Sequence, residues 1–168
     1  MPCAVITVSD TRTTVDDRSG ERVVRALERA GHAVVDRRIL PDEPRAITAA
    51  LRSLARASRA RVIVLTGGTG IARRDRTFEA VDALLEKRLD GFGELFRMLS
   101  YREIGSAAML SRAVAGTWRG RILFSLPGAP DAVALALRRL ILPELPHLAG
   151  LLAPATTRRP RGKGRRAR

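Results

Sequence analysis

Short apolar runs alternate along this chain with stretches in which apolar residues recur every three or four positions. The short runs are rich in β-branched residues and predict buried strands, whereas the periodic stretches predict helices that pack by one face. The predicted strands cover residues 3–8, 33–40, 62–65 and 121–126. The predicted helices cover residues 21–30 (with Gly31 directly after the helix), a segment carrying Ile47, Leu51 and Leu54, residues 78 to about 88, 90–102, and 131–142. Residues 106–116 fit either a helix or a strand, and residues 143–152 are predicted to pack as a short extension.

Strands that alternate with helices predict an α/β fold, a three-layer sandwich whose mostly parallel sheet carries helices on both faces. In such a sheet, ligands bind beyond the carboxyl ends of the strands. Four polar or glycine-rich loops follow predicted strands and are therefore expected at one edge. They contain Ser9 and Asp10, Asp42, the segment 66–75, and Pro127 with Gly128.

The loop after the third predicted strand carries three glycines in four positions, Gly67, Gly68 and Gly70. A glycine loop between a strand and a helix can point backbone N–H groups at an anion, and Thr77 is a candidate N-cap for the helix that follows. The loop lacks the Gly-Lys-Ser/Thr ending of a Walker motif and does not match the GxGxxG dinucleotide fingerprint. Its specificity must come from the residues around it.

Asp75 lies in this loop among Arg73, Arg74 and Arg76. A carboxylate beside a phosphate-binding loop suggests a Mg²⁺ ligand, but pairing with the neighbouring arginines is an equal alternative. Carboxylates, a glycine loop and arginines in one crevice predict phosphoryl or nucleotidyl transfer assisted by a divalent cation. No Cys or His is placed for nucleophilic work, and His32 and His147 are expected to be structural or exposed.

The length of 168 residues predicts one domain, residues 1–152, followed by a basic and disordered tail, residues 153–168. The single Cys3 rules out an internal disulfide and is expected to be a buried, reduced thiol. No apolar run is long enough to span a membrane and the start does not resemble a signal peptide. These features predict a cytoplasmic protein.

The net charge of +14 raises the alternative of a basic nucleic-acid-binding protein. Residues 158–168 carry seven basic residues and no acidic one, so half of the excess lies in the tail. Aromatic residues make up only 4% of the chain, which leaves few platforms for base stacking. Specific nucleic-acid binding by the folded part is therefore not expected.

Five motifs make the chain recognisable. They are ITVSDTRTTVDDRSG, ILPDEP, VLTGGTGIARRDRTFEAV, GFGELFRMLSYREIGSAAMLSRAVAG and LFSLPGAP, in this order. Together they resemble the molybdenum-cofactor biosynthesis proteins of the MoaB/Mog family, to which the G domain of gephyrin also belongs. The resemblance covers about residues 3–142.

This resemblance implies a molybdopterin-binding α/β fold that forms homotrimers, with hexamers in some members. It also implies transfer of AMP from Mg-ATP onto the terminal phosphate of molybdopterin, with release of pyrophosphate. A separate downstream protein would then insert molybdate. An alternative within the same pathway is a carrier or assembly protein that binds the pterin without catalysis.

The family's two functional aspartates fall on Asp42 and Asp75, which are therefore the expected catalytic residues and Mg²⁺ ligands. The N–H groups of Gly67–Gly70 would bind phosphate, and Arg73 and Arg74 would neutralise the leaving pyrophosphate. Glu94 shares a helical face with Arg97, either as a surface pair or at a subunit contact. The remaining candidates for the pterin and nucleotide pocket are Ser9, Asp10, Thr66, Gly67, Gly68, Thr69, Gly70, Glu94, Ser111, Pro127 and Gly128.

Overall fold

The structure is a computed structural model and describes residues 1–152. The strands are β1 (Pro2–Val8), β2 (Ala33–Leu40), β3 (Val62–Thr66), β4 (Lys87–Arg88), β5 (Val114–Trp118) and β6 (Arg121–Leu126). The helices are α1 (Arg18–Arg29), α2 (Pro44–Ala57), α3 (Thr77–Asp82), α4 (Asp90–Ile104), α5 (Pro130–Ala136) and α6 (Leu142–Leu151). A 3₁₀ helix covers Gly105–Leu110, and a π-helical turn covers Leu137–Ile141. The predicted tail, residues 153–168, lies outside the described residues.

The six strands form one sheet in the order β2-β1-β3-β6-β5-β4. Strands β2, β1, β3 and β6 are parallel, whereas β5 and β4 are antiparallel to their neighbours. The predicted mostly parallel sheet is therefore confirmed. The antiparallel edge was not predicted.

Each face of the sheet has its own apolar core, because successive side chains along a strand point to opposite faces. Along β3, Val62 and Val64 pack towards α1, α4 and α5, while Ile63 and Leu65 pack towards α2 and α3. The run in β3 is uniformly apolar because both faces of this central strand are covered. Helices on both faces are thus confirmed.

The prediction of a helix reaching Arg88 is wrong. Helix α3 ends at Asp82, and the two-residue strand β4 follows. The backbone around β4 is held by β5, since the N–H of Glu86 donates to Thr117 and that of Leu89 donates to Ala115. Pairing with the sheet thus replaces the helical hydrogen bonds.

Residues 106–116, which fitted a helix or a strand, contain parts of both, the 3₁₀ helix and the start of β5. At the carboxyl-terminal end of the described region, the predicted helix over residues 131–142 continues further than expected. A π-helical turn follows α5, and α6 then extends to Leu151. Pro143 lies in the first turn of α6, directly after the π-helical turn. Within residues 1–152, none of the helices combines the length and apolarity required to cross a bilayer.

Helix α1 begins three residues earlier than predicted because Asp17 is its N-cap. One carboxylate oxygen, Oδ1, accepts a hydrogen bond from the Gly20 N–H at 2.8 Å. The other, Oδ2, accepts from the Thr7 hydroxyl at 2.8 Å and from Arg37 Nη2 at 3.1 Å. The Asp17 side chain is only 1% exposed. It therefore joins α1, β1 and β2 beneath the surface.

Asp17→Ala is expected to lower the free energy of unfolding by about 2–4 kcal/mol. The substitution removes a helix cap and leaves the buried Thr7 hydroxyl and the Arg37 guanidinium without their shared acceptor. Urea denaturation followed by circular dichroism measures the loss.

Asp131 provides the control, because its ion pair with Arg22 is solvent-exposed, with the Asp131 side chain 94% exposed. Asp131→Ala is expected to cost less than about 1 kcal/mol. Equal losses for the two variants would contradict the role assigned to Asp17.

Candidate active site

Loops that follow three parallel strands meet in one cavity at the carboxyl edge of the sheet. The cavity has a volume of about 170 Å³. It is lined by Val8 at the end of β1 and by Ser9, Asp10 and Thr11 after it, by Asp42 after β2, and by Gly68, Arg74 and Asp75 after β3. The predicted convergence of Ser9, Asp10, Asp42 and the glycine loop is confirmed.

Asp42 connects the three loops. Its Oδ1 accepts hydrogen bonds from the Arg76 N–H at 3.1 Å and from the Thr77 hydroxyl at 3.3 Å. Its own N–H donates to Oδ1 of Asp10 at 3.0 Å. The carboxylate is thereby held at the mouth of the glycine loop by groups from two other connections.

The prediction of Thr77 as an N-cap is wrong. Helix α3 begins at Thr77 itself, and Arg76 is the capping residue, without a side-chain cap. The Thr77 hydroxyl is buried and donates to Asp42 instead. A charged acceptor forms a stronger hydrogen bond than a neutral one. This threonine therefore orients the aspartate and does not cap the start of the helix.

The surroundings of Asp42 disfavour its negative charge. Partial burial raises the pKa of the Asp42 carboxyl, the hydrogen bonds from Arg76 and Thr77 oppose that increase, and the charges of Asp75 and Asp10 add to it. A cation in the cavity would relieve both the desolvation and the repulsion. The electrostatics of the site therefore fit a bound metal ion.

Asp75 makes a local turn and remains open to the cavity. Its Oδ2 accepts a hydrogen bond from the Ala72 N–H at 3.0 Å. Among the ion pairs of residues 1–152 none involves Asp75, so the alternative of pairing with the adjacent arginines is wrong.

The described residues contain no cluster of three or more metal-ligating side chains. A preformed all-protein metal cage is therefore absent from this part of the chain. Mg²⁺ is commonly held by one or two carboxylates together with substrate phosphates. The donor set of Asp42 and Asp75 fits that mode of binding.

Two glycines of the loop have conformations that the site requires. Gly67 has φ +102°, and a Cβ there would collide with the Val8 carbonyl. Gly68 has φ +62°, and a Cβ there would collide with the Asp42 carboxylate and the Thr77 hydroxyl. Glycine at residue 68 is therefore what lets the loop approach Asp42.

The loop has fewer free donors than predicted, because the N–H of Gly67 donates to the Leu126 carbonyl at 3.0 Å. The prediction that the Gly67 N–H binds phosphate is therefore wrong. The N–H groups of Gly68, Thr69 and Gly70 have no acceptor among residues 1–152. Of these three residues Gly68 lines the cavity, whereas Thr69 is buried and Thr69 and Gly70 lie outside the cavity lining.

Thr66, Pro127 and Gly128 lie behind the loop and do not line the cavity. The Thr66 hydroxyl donates to the Pro127 carbonyl at 2.9 Å, and the Ser19 hydroxyl donates to the Gly128 carbonyl at 2.7 Å. The Oγ of Ser9 accepts hydrogen bonds from the Thr11 and Arg12 N–H groups at 3.3 and 3.2 Å. These predicted residues support the loops around the cavity.

The structure does not bring Arg73, Glu94 or Ser111 into the aspartate cavity. Arg73 is exposed, while Arg74 lines the cavity. Glu94 lines a second pocket with Arg97, and within residues 1–152 no ion pair joins the two, so the surface-pair alternative is wrong. Ser111 precedes β5, next to Arg112.

Arg112 was not predicted. Its Nη1 donates to the Gly70 carbonyl at 3.2 Å, and its Nη2 pairs with Glu79 of α3. The only sequence signal was its position directly after Ser111, in a segment whose secondary structure was ambiguous.

Neither histidine lines the cavity. His32 Nδ1 lies 3.3 Å from the amino-terminal nitrogen of Met1, and exposed His147 lies beside Glu144. Cys3 is fully buried, as predicted, and burial raises the pKa of its thiol to about 11. None of the three side chains is placed to act as a nucleophile at the candidate site.

Comparison with known proteins agrees with this architecture. Residues 4–147 match the family model described as a probable molybdopterin binding domain. The molybdenum cofactor biosynthesis protein B of Bacillus cereus is 49% identical over 147 residues, which cover 87% of this chain and 87% of that protein.

Two solved structures have the same fold over nearly the whole described chain. A crystal structure of molybdenum cofactor biosynthesis protein B is 48% identical, with a TM-score of 0.87 and coverage of 90% of this chain and 94% of the other. The tungsten cofactor synthesizing protein MoaB of Pyrococcus furiosus is 40% identical, with a TM-score of 0.78 and coverage of 91% and 97%. The chain belongs to the MoaB/Mog family of molybdenum cofactor biosynthesis proteins, which share the molybdopterin-binding domain.

Proposed function

We propose that this protein is a molybdopterin adenylyltransferase that uses Mg-ATP. The observation that carries the proposal is the shared cavity of Asp42, Asp75 and the glycine loop at the edge where an α/β sheet binds ligands. Membership of a molybdopterin-binding family supports a pterin as one substrate. The glycine loop beside two carboxylates supports a nucleotide as the second substrate.

The reaction joins two polyanions. A terminal phosphate oxygen of molybdopterin would attack the α-phosphorus of ATP, the bond from that phosphorus to the bridging oxygen of the β-phosphate would break, and pyrophosphate would leave. Little covalent chemistry is required of the protein, so charge neutralisation and in-line positioning are its main tasks.

The scheme gives a role to the two aspartates, the glycine loop and Arg74. Asp42 and Asp75 would hold Mg²⁺, which supplies charge neutralisation at the triphosphate. The free N–H groups of Gly68, Thr69 and Gly70 would bind phosphate oxygens, and Arg74 would neutralise the departing pyrophosphate. The hydrogen bonds from Arg76 and Thr77 keep the Asp42 carboxylate aimed at the cavity.

Incubation of the purified protein with molybdopterin, Mg²⁺ and ATP tests the proposal. Adenylylated pterin and pyrophosphate should form in equal amounts. A non-catalytic carrier would bind molybdopterin without releasing pyrophosphate. Omission of Mg²⁺ should stop the reaction, and the oligomeric state, proposed to be a homotrimer or a hexamer, can be measured by light scattering on the same preparation.

Asp75→Asn is expected to reduce turnover by about 100-fold or more, because it removes one of two carboxylates that would hold the metal. The asparagine oxygen can still accept the Ala72 N–H, so the loop turn should persist. Steady-state release of pyrophosphate measures the effect. Asp131→Asn is the control, and a matching loss there or full activity in Asp75→Asn would remove the metal role of Asp75.

Asp42→Asn is expected to lose activity without losing stability. The folded-state pKa of Asp42 is raised, so ionisation of its carboxyl destabilises the fold, and this penalty grows as the pH rises through that pKa. At pH 7 the variant should therefore unfold at an equal or higher temperature than the wild type. The difference should disappear below about pH 4, where the wild-type carboxyl is protonated in both states.

Thermal unfolding from pH 3 to 8 measures the stability, the same scans with Mg²⁺ and ATP measure ligand binding, and steady-state release of pyrophosphate measures the activity. Added Mg-ATP should raise the unfolding temperature of the wild type more than that of Asp42→Asn, because only the wild type keeps both carboxylates. The difference in unfolding temperature between Asp42→Asn and the wild type should be more favourable to the variant at pH 7 than at pH 4. The opposite trend would contradict the sign of the assigned pKa shift.

A further inference from the structure

The Arg112 guanidinium contacts three chemically different groups around the glycine loop. Nη1 donates to the Gly70 carbonyl at 3.2 Å, and Nη2 pairs with the Glu79 carboxylate. The guanidinium carbon lies 4.3 Å from the centroid of the Phe78 ring. The Arg112 side chain is 27% exposed, so the contacts are partly shielded from water.

Sheet topology explains why Arg112 reaches the site. The parallel strands end at the cavity edge, whereas β5 is antiparallel to β6 and pairs Val114 with Ser125 near the end of β6. Strand β5 therefore begins at the edge where the others end. Arg112 lies two residues before β5 and therefore reaches the glycine loop from a strand that starts, rather than ends, at this edge.

Arg112 contacts the glycine run, the part of the loop between its two fixed ends. The start of the loop is held by the Gly67 N–H on the Leu126 carbonyl, and its end by the Thr77 N–H on the Gly68 carbonyl. Within residues 1–152, the N–H groups between these ends that could bind an anion have no internal acceptor to orient them. Glycine backbones are conformationally permissive, so their orientation must be fixed by other groups.

The bond to Gly70 supplies this constraint. The Gly70 carbonyl shares a planar peptide unit with the Ile71 N–H. Fixing this oxygen therefore fixes the peptide plane on the carboxyl side of Gly70 and limits rotation of the glycine run before it. Glu79 and Phe78 belong to α3, the helix that follows the loop. Arg112 thus holds loop and helix in one arrangement.

We propose that Arg112 is a positioning residue that holds the glycine loop with its free amides facing the phosphate groups of the nucleotide. The identity of the ligand in this inference rests on the proposed function. The structural role of Arg112 does not depend on it. Both terminal nitrogens of Arg112 are engaged by Gly70 and Glu79, so the residue acts through the loop rather than on the substrate. Lysine cannot reproduce the planar fork that makes the two bonds and the stacking contact together.

Arg112→Ala tests the role when it is compared with Arg121→Ala. Arg121 also donates from its guanidinium to backbone carbonyls, those of Ala55, Ser58 and Arg119, but it lies at the start of β6, at the end of the sheet opposite to the cavity. The pair therefore separates a loss of arginine–carbonyl bonds in general from a loss at the loop.

Two measurements are made on each full-length variant. Amide hydrogen exchange of a peptide covering residues 67–76, followed by mass spectrometry, is expected to accelerate about tenfold or more in Arg112→Ala. The value of kcat/KM for pyrophosphate release is expected to fall about 100-fold, since small displacements of positioning groups have effects of that size. Arg121→Ala should keep wild-type values for both.

Arg112→Lys serves if Arg112→Ala does not fold, since it keeps the charge and most of the side-chain volume. It should retain the fold, show intermediate exchange in the loop and recover only part of the activity. Guanidinium ion added to Arg112→Ala should restore part of the turnover, which a general loss of packing would not allow.

Wild-type exchange and wild-type kcat/KM in Arg112→Ala or Arg112→Lys would overturn the inference. Reduced kcat/KM with unchanged loop exchange would also overturn it, because Arg112 would then act directly on the substrate. If the wild type releases no pyrophosphate but loop exchange still depends on Arg112, the proposed function fails while the positioning role stands.

Discussion

The hydrogen bonds between the Asp42 carboxylate and the loop after β3 are the interaction on which the site depends. One oxygen accepts the Arg76 N–H and the Thr77 hydroxyl, and the Asp42 backbone N–H is in turn held by Asp10. Three separate connections thereby become one surface. Without this contact, the carboxylate would be a solvated group on a turn, with no fixed distance to Asp75 or to the glycine loop.

The fold was largely predictable because its central strands are buried on both faces. The apolar run in β3 and the alternating periodicities around it were enough to predict a parallel sheet with two helical layers. They did not predict β4, since two residues held in place by β5 carry no periodic signal. The antiparallel direction of β5 was missed for the related reason that its flanking segment fits both a helix and a strand.

The candidate site was partly predictable from chain order. Asp10, Asp42 and Asp75 each follow a strand, and parallel strands place such residues together. The hydrogen-bond partners were not predictable, because they depend on tertiary contacts. Thr77 has the residue type of an N-cap but donates to Asp42. The Gly67 N–H donates to the Leu126 carbonyl at the end of β6 and is not free to bind an anion. Local propensity identifies residue types suited to a role, while packing decides which partner each one finds.

The direction of β5 connects these observations. Three parallel strands deliver carboxylates to the cavity edge, where burial first, and then the charges of Asp75 and Asp10, raise the pKa of Asp42. An antiparallel strand begins at the same edge and brings Arg112, whose positive charge is taken up by Glu79 rather than by the cavity aspartates. The arginine can therefore hold the loop without occupying the place of a cation between Asp42 and Asp75. The proposed binding of both a metal ion and phosphate would need this separation, because an arginine paired with either aspartate would compete with the metal for its ligands.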